Sequence, residues 1–476
     1  MSNPQLIHRA NENSSLYNTI KARNSKQNVY DYSSESNICP VARSKIIVNS
    51  QTSLSADGNQ TVKFILPNFG FLEDLFLQTK FTQGDTNADT GAKDSFLVDM
   101  AGAHCWSRIR LVYQGNTVWE CTPEWLVCSQ YLRANHEKST LLDAMLGSAI
   151  AGAASDTLGS IEGRRVMSTI FGGCELSAPI KSFWGDGIER SVDLYSLSSP
   201  MVLEVDYRSI AAASGKQETA ADGQKFDQSR LVCYVAELAP QELSAYQARN
   251  YAPGSVSSQL GFTTAHFQES VASPVEILTA GKGSVVKLQS ISGLVRRLYV
   301  FSTLDSDRAS TTDRKYMNLV DIATVKLSAN NQTIYEIENC EVGASKVNTT
   351  SGNGYHTDQF VEMYRNNIVG GCNKAVVSDT YKLYDPALDK TLGKTSGGEF
   401  DSSFVKVINF AYNPDDYASA DGCLSFSQLG QPEIEFKLCD GAAGAAHSLH
   451  VVAEILTINT YSTSSTGAIN FKTITE

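Results

Sequence analysis

Ile109-Arg110-Leu111, followed by Gln114-Gly115-Asn116-Thr117-Val118-Trp119-Glu120, returns 216 residues later as Val325-Lys326-Leu327, followed by Asn330-Asn331-Gln332-Thr333-Ile334-Tyr335-Glu336. Both stretches read as strand, two-residue polar turn, strand, with Gly115 and Asn331 suited to the positive φ such a turn demands. Three further echoes keep the same order. Gly70-Phe71-Leu72-Glu73-Asp74-Leu75-Phe76-Leu77 matches Gly293-Leu294-Val295-Arg296-Arg297-Leu298-Tyr299-Val300 at a spacing of 223. Leu197-Ser198-Ser199-Pro200 with Val202 matches Leu429-Gly430-Gln431-Pro432 with Ile434 at 232, and Val235-Ala236-Glu237-Leu238 matches Val452-Ala453-Glu454-Ile455 at 217. Collinear echoes whose spacings differ only by loop-sized amounts indicate a tandem duplication. Each copy is ~200 residues with about eight strands, the size of a jelly roll in which two facing sheets share a core. The expected fold is therefore all-β, two tandem eight-stranded jelly rolls with short helices and long loop insertions. Residues 1–40 form an extended N-terminal arm, 41–250 the first roll and 251–476 the second.

The texture between the echoes agrees. Runs rich in Val, Ile, Phe and Tyr, such as Ile46-Ile47-Val48, Val62 to Leu66, Leu72 to Phe81, Met201 to Val205 and Leu231 to Val235, are separated by turn residues, as strands are. Two helices are expected: one capped by Thr122 with Pro123 at its first position, running towards Leu132, and one from Pro240 towards Arg249. Ala252-Pro253-Gly254-Ser255 reads as the linker, and β-runs resume at Val275. Long inserts at 133–175, 206–228 and 338–403 are placed to project from one end of each sandwich.

Composition excludes several classes. The chain has 476 residues, of which 42% are apolar and 19% charged, with Lys+Arg 39 against Asp+Glu 51 and a net charge of −12. An evenly acidic chain repels a phosphate backbone, so no sequence-specific nucleic-acid binding is expected. Tyr 20 and Phe 19 exclude wholesale disorder. The start, Met1-Ser2-Asn3-Pro4-Gln5, leads into polar residues and does not read as a secretory signal. The longest small, apolar stretch, Leu141 to Ala154, contains Asp143 and falls short of the ~20 residues a spanning helix needs. Leu141-Leu142-Asp143-Ala144-Met145-Leu146 lacks the basic face of a membrane-surface helix and reads as packing against a neighbour. Ten scattered cysteines without a Cys-x-x-Cys pair read as reduced, mostly buried thiols.

No catalytic, cofactor-binding or metal-ligating residues are assigned, and no cofactor is expected. His447 and His450 stand three apart in a strand and so point to opposite faces. There is no phosphate-binding Gly-rich loop followed by Lys and Ser/Thr, no dinucleotide fingerprint and no nucleophile elbow. Asp415-Asp416 and Glu433/Glu435 read as solvated surface acids.

With these residues in place, Ile408-Asn409-Phe410-Ala411-Tyr412-Asn413-Pro414-Asp415-Asp416, then Asp421-Gly422-Cys423-Leu424-Ser425-Phe426-Ser427-Gln428-Leu429 and Pro432-Glu433-Ile434-Glu435-Phe436, resemble a phrase that marks the second roll in a known family. That family is the double jelly-roll major capsid proteins of icosahedral double-stranded DNA viruses, in the branch of virophages, polinton-like viruses and nucleocytoplasmic large DNA viruses. Pro240 to Arg249 looks like the helix before its crossover, and Leu294-Val295-Arg296-Arg297 departs from the Asn-His-Pro-like phrase of algal-virus members. The resemblance implies a structural virion protein, not an enzyme, forming pseudo-hexameric homotrimers that tile an icosahedral shell assembled in the infected cell. The implied partners are itself, neighbouring capsomers, penton and minor capsid or cement proteins, and an inner membrane reached through the N-terminal arm. The rival reading is a viral or cell-surface adhesin built from two β-sandwiches.

Overall fold

The computed structural model describes residues 41–83, 97–134, 136–147, 174–180, 191–214, 224–241, 243–244, 247, 259–276, 284–310, 314–317, 319–320, 322–338, 405–411, 422–438, 446–463 and 469–474. The arm at 1–40, the linker at 252–255, the body of the 338–403 insert and Asp415-Asp416 lie outside the described residues.

The first half runs β1 (Val41–Asn49), β2 (Thr61–Ile65), β3 (Phe71–Gln83), α1 (Ala101–His104), β4 (Trp106–Tyr113), β5 (Asn116–Cys121), α2 (Pro123–Arg133), α3 (His136–Leu146), β6 (Cys174–Ile180), β7 (Val192–Asp193), β8 (Val202–Tyr207), α4 (Ile210–Ala213) and β9 (Gln224–Leu238). The second runs β10 (Gln259–Glu276), β11 (Ser284–Lys287), β12 (Leu294–Leu304), α5 (Asp305–Arg308), β13 (Leu319–Val320), β14 (Ile322–Ala329), β15 (Gln332–Glu338), β16 (Lys406–Asn409), β17 (Leu424–Ser425), β18 (Glu433–Leu438), β19 (Ala446–Thr463) and β20 (Ile469–Ile474).

Strands leave one sheet and enter the other as the chain advances. In the first half the sheets are β1-β9-β3-β6, with β7 on β3, and β2-β8-β4-β5. In the second they are β10-β19-β12-β13, with β16 and β17 also on β12 and β20 on β19, and β11-β18-β14-β15. Substituting β10, β11, β12, β14, β15, β16, β18 and β19 for β1, β2, β3, β4, β5, β6, β8 and β9 converts one order into the other. Both are antiparallel jelly rolls.

Alternation supplies each core. Along β8 the buried residues are Leu203, Val205 and Tyr207, and β2 buries Val62 and Phe64 between exposed neighbours. They face Leu72, Leu75, Leu77, Leu231, Cys233 and Val235 of the opposite sheet in one cluster. The second sandwich encloses Val325, Leu327, Ile434 and Phe436 against Val295, Leu298, Val300, Leu449, Val451 and Ile455. Each such side chain contributes ~1.5–3 kcal/mol of transfer free energy on burial.

The duplication extends to the irregularities. Pairing of β3 with β9 slips between Leu72 and Asp74, and pairing of β12 with β19 slips between Val295 and Arg297, 223 residues on. Pairing of β4 with β8 slips between Trp106 and Arg108, that of β14 with β18 between Ile322 and Thr324. The β4–β5 hairpin slips between Leu111 and Val112, the β14–β15 hairpin between Leu327 and Ser328. A bulge adds a residue and redirects the strand. Three at matching positions record a common ancestor more firmly than composition does. Gly70 (φ 81) and Gly293 (φ 91) match as well, their carbonyls accepting from Leu194 N and Phe426 N. A Cβ on Gly70 would lie 2.7 Å from Val235 Cβ in a left-handed backbone. Gly70→Ala should therefore lower stability by ~2 kcal/mol or more, read as the urea midpoint of the purified chain.

The register corrects two of the four echoes. The spacings of 216 and 223 hold residue for residue. The loop match at 232 also holds, because Gln114 Nε2 reaches Ser198 Oγ and Asn330 N reaches Gly430 O. From the strand onward, however, Leu203 and not Val202 occupies the place of Ile434, since they pair with Leu111 and Leu327. Val235 pairs with Leu72 and Ile455 with Val295, so the last echo belongs at 220, not 217. Both errors set similar residues side by side with the strand slipped along its axis.

Other expectations shift. The second sandwich starts at Gln259, well before Val275, because β10 pairs with β19 along its length. An additional strand, β20, extends the sheet along Ile458 to Thr463. The helix expected from Thr122 is present, with Thr122 Oγ1 accepting from Trp125 N at 3.3 Å. At Pro240 the helical bond from Leu243 N to Ala239 O is made, and Ser244 and Gln247 are helical; 242, 245–246 and 248–250 lie outside the described residues. The described parts of the 133–175 and 206–228 inserts do not project. Leu142 and Leu146 of α3, and Ile210 and Ala213 of α4, are buried in the first core.

Candidate functional site

The outward face of the β10-β19-β12 sheet is where the two sandwiches meet. Every residue of β12 from Val295 to Leu304 is buried. Alternate residues fill the second core, while Tyr299, Phe301 and, from β19, Val452 join the cluster of the first. A strand buried on both sides in an antiparallel sandwich has a second body against it.

The first sandwich offers its helices to this face. The Thr122 cap and Pro123 start α2 as β5 ends, which sets Glu124 and Trp125 at its first turn. Trp125 packs on Tyr299 with ring centroids 4.9 Å apart. Glu124 Oε1 accepts from Arg208 Nη2 (3.3 Å), in its own sandwich, and from Arg308 Nη2 (3.1 Å), in the other. Burial alone would raise the Glu124 carboxyl; its cationic neighbours, Arg208 foremost, outweigh it and hold the group at about 2. Tyr316 of the second sandwich lies against His104 (5.0 Å, 24° between planes) and under the Arg208 guanidinium at 4.2 Å. Its Oη donates to Ala212 O at 3.0 Å, and Arg314 Nη1 donates to Ala211 O at 2.6 Å. Further along, Asp193 N donates to Tyr461 Oη at 2.8 Å.

Beside this clasp lies a second buried charge pair. Arg297 Nε and Nη2 donate to Glu454 Oε2 (2.6 Å) and Oε1 (3.1 Å), and Tyr299 Oη adds a bond to Oε2 at 3.0 Å. Arg297 and Glu454 sit at the bulge positions that Asp74 and Tyr234 hold in the first sandwich. The duplicated framework is the same; the second copy's residues are those of an interior.

The sequence reading names no site residues, and the seam is what it misses. The only signal was charge inside strand runs: Arg296-Arg297 after Leu294-Val295, and Glu454 after Val452-Ala453. Glu433 and Glu435 share the outer, half-buried face of β18. His447 and His450 point to opposite sides, His450 stacked on Phe301 at 4.7 Å. Cys105, Cys121, Cys128 and Cys233 are buried and form no disulfide, and burial pushes the Cys105 and Cys233 thiols up to about 12. Among the described residues no His, Cys, Asp and Glu group is placed to hold a metal ion, and no helix is long and apolar enough to cross a membrane. His8 and His356 lie outside the described residues.

No protein-family profile matches the sequence, and no curated protein matches it. Solved structures do. The PBCV-1 virus capsid superposes with a TM-score of 0.61 at 11% identity, over 91% of this chain and 97% of that one. The Faustovirus major capsid protein gives 0.53 at 11% identity, over 94% and 97%. The Sputnik virophage structure gives 0.50 at 9% identity, over 90% and 88%. Likeness over at least 90% of the chain at such low identity establishes the fold: this chain is a double jelly roll, built like the PBCV-1 virus capsid and the Faustovirus major capsid protein.

Proposed function

We propose that the chain is a major capsid protein of an icosahedral double-stranded DNA virus, a structural and non-enzymatic subunit whose homotrimers act as six-sided tiles. The observation that carries this reading is the unequal fate of one sheet face in the two copies. On the second sandwich Arg297, Tyr299, Phe301 and Glu454 are buried under the first. The matching residues of the first sandwich, Asp74, Phe76, Gln78 and Tyr234, remain half-buried, and Ile47 on the neighbouring β1 is 52% exposed. A chain that closes one such joint internally and leaves its counterpart open is built for head-to-tail association. When the rotation closes after three chains, six similar sandwiches surround one axis. Three joints of this kind support an obligate interface above ~2,000 Å².

In this reading the boundaries are an arm at 1–40 and rolls at 41–250 and 251–476. The shell is the location, and neighbouring capsomers, penton and minor capsid proteins are the partners. The arm faces inward, towards minor proteins or a membrane. Light scattering should give three times the 51.7 kDa chain mass. Phe76→Glu, which places a charge on the open face, should weaken each joint by ~2–4 kcal/mol and yield a folded monomer. A wild-type monomer at micromolar concentration, or a Phe76→Glu trimer as stable as wild type, would contradict the assignment.

A further inference from the structure

Within the clasp, His104 is fully buried, and neither ring nitrogen makes a hydrogen bond. One ring face is taken by Tyr316, whose ring also carries the guanidinium groups of Arg208 at 4.2 Å and Arg308 at 5.9 Å. The charged groups that act on His104 are Glu124 of α2, Arg208 after β8 and Arg308 of α5. Asp143 of α3 is engaged by Tyr131 Oη at 2.5 Å, and Asp99, at the head of α1, is buried. A neutral imidazole suits this place because it adds no charge. An imidazolium would set a third cation among two arginines with Glu124 alone to balance them, and with no acceptor for either N–H.

We propose that His104 makes the joint between the sandwiches acid-releasable: its protonation displaces Tyr316 and Arg308 from their seats and loosens the second sandwich from the first. Opening exposes the ring to water and gives both nitrogens partners, so the open form takes up the proton that the closed form refuses. Burial, reinforced by the two arginines, holds His104 in the closed joint at about 3, against an ordinary value of 6.5. A group held below its ordinary value in the neutral-base sense stabilises the closed form fully above 6.5, and that stability drains away as pH falls. The closing constant should drop about fivefold from pH 6.5 to 5.5 and about ninefold from 5.5 to 4.5. Glu124, held at about 2 against 4.5, contributes fully above 4.5 and adds a second loss only below it.

The test compares the full-length chain with His104→Gln, matched in oligomeric state, by urea unfolding at pH 7.5, 6.5, 5.5 and 4.5 and by small-angle scattering. The ratio of wild-type to variant closing constants should fall about fiftyfold from pH 6.5 to 4.5, since half of the open-form imidazole is already protonated at 6.5. Over the same range the wild-type radius of gyration should rise while the variant's stays fixed. A pH-independent ratio would overturn the proposal, and so would a pH-dependent ratio without expansion, since the proton would then act on the fold without opening the joint. These readouts concern one chain, so they stand apart from the capsid assignment.

Discussion

Replacing Arg297 by methionine should cost ~3–5 kcal/mol of folding stability, because it leaves the Glu454 carboxylate in the seam with its cation gone. Glu454 is fully buried; the Arg297 guanidinium donates two bonds to its carboxylate and Tyr299 Oη donates another. Water cannot replace those donors where the side-chain exposures are 3% and 0%. The pair itself is a different matter. Two desolvated charges recover little more in attraction than they lose in hydration, so Arg297→Met with Glu454→Leu should fall within ~1.5 kcal/mol of wild type. Urea denaturation of the two single variants and the double variant gives the coupling energy directly. A mild single variant, or a double variant as damaged as the single ones together, would show that the pair is not what holds this part of the joint. The pair's contribution on this account is direction: it fixes how one sandwich sits on the other.

The second large effect lies in the second core. Phe436 stands at the place of Val205, and Val286 at the place of Phe64, so the two copies fill the same space with the large and small residues exchanged. Phe64 and Phe436 are both fully buried. Phe436→Val should cost ~2–4 kcal/mol through lost contacts and the space left behind. Adding Val286→Phe rebuilds the arrangement of the first sandwich and should restore at least half of that loss, since a core tolerates redistribution at constant volume. The measurement is again the unfolding free energy. If the added phenylalanine deepens the loss, the two cores are not interchangeable at these positions and the structural equivalence of the copies is weaker than their register implies.

The fold was open to reading because it is repeated. Two β-rich segments with one turn chemistry, Gln114-Gly115 and Asn330-Asn331, need no tertiary information to be matched. Even the bulges left a trace: Leu72, Leu75 and Leu77, like Val295, Leu298 and Val300, break strict alternation with one spacing of three. The exact pairing of β8 with β18 and of β9 with β19 was not legible. Val202, Leu203 and Val205 of β8, and Val232, Val235 and Leu238 of β9, set apolar residues at closely spaced positions, and such runs match nearly as well when slid by one or three residues. The seam was not legible for another reason. Its members, Glu124, Arg208, His104, Arg297, Arg308, Tyr316 and Glu454, come from both copies and from loops between them, and a charged residue looks solvated until the body that buries it is known. The inserts misled in part for the same reason: α4 carries apolar residues that cap the first core, a role that its place in a loop conceals, whereas the packing of α3 through Leu142 and Leu146 was legible.

The most direct test of the account is negative-stain electron microscopy of the purified protein. Class averages should show particles with six similar walls around a three-fold axis, each chain supplying two adjacent walls. Isolated two-lobed particles, or rings with any other number of walls, would contradict it.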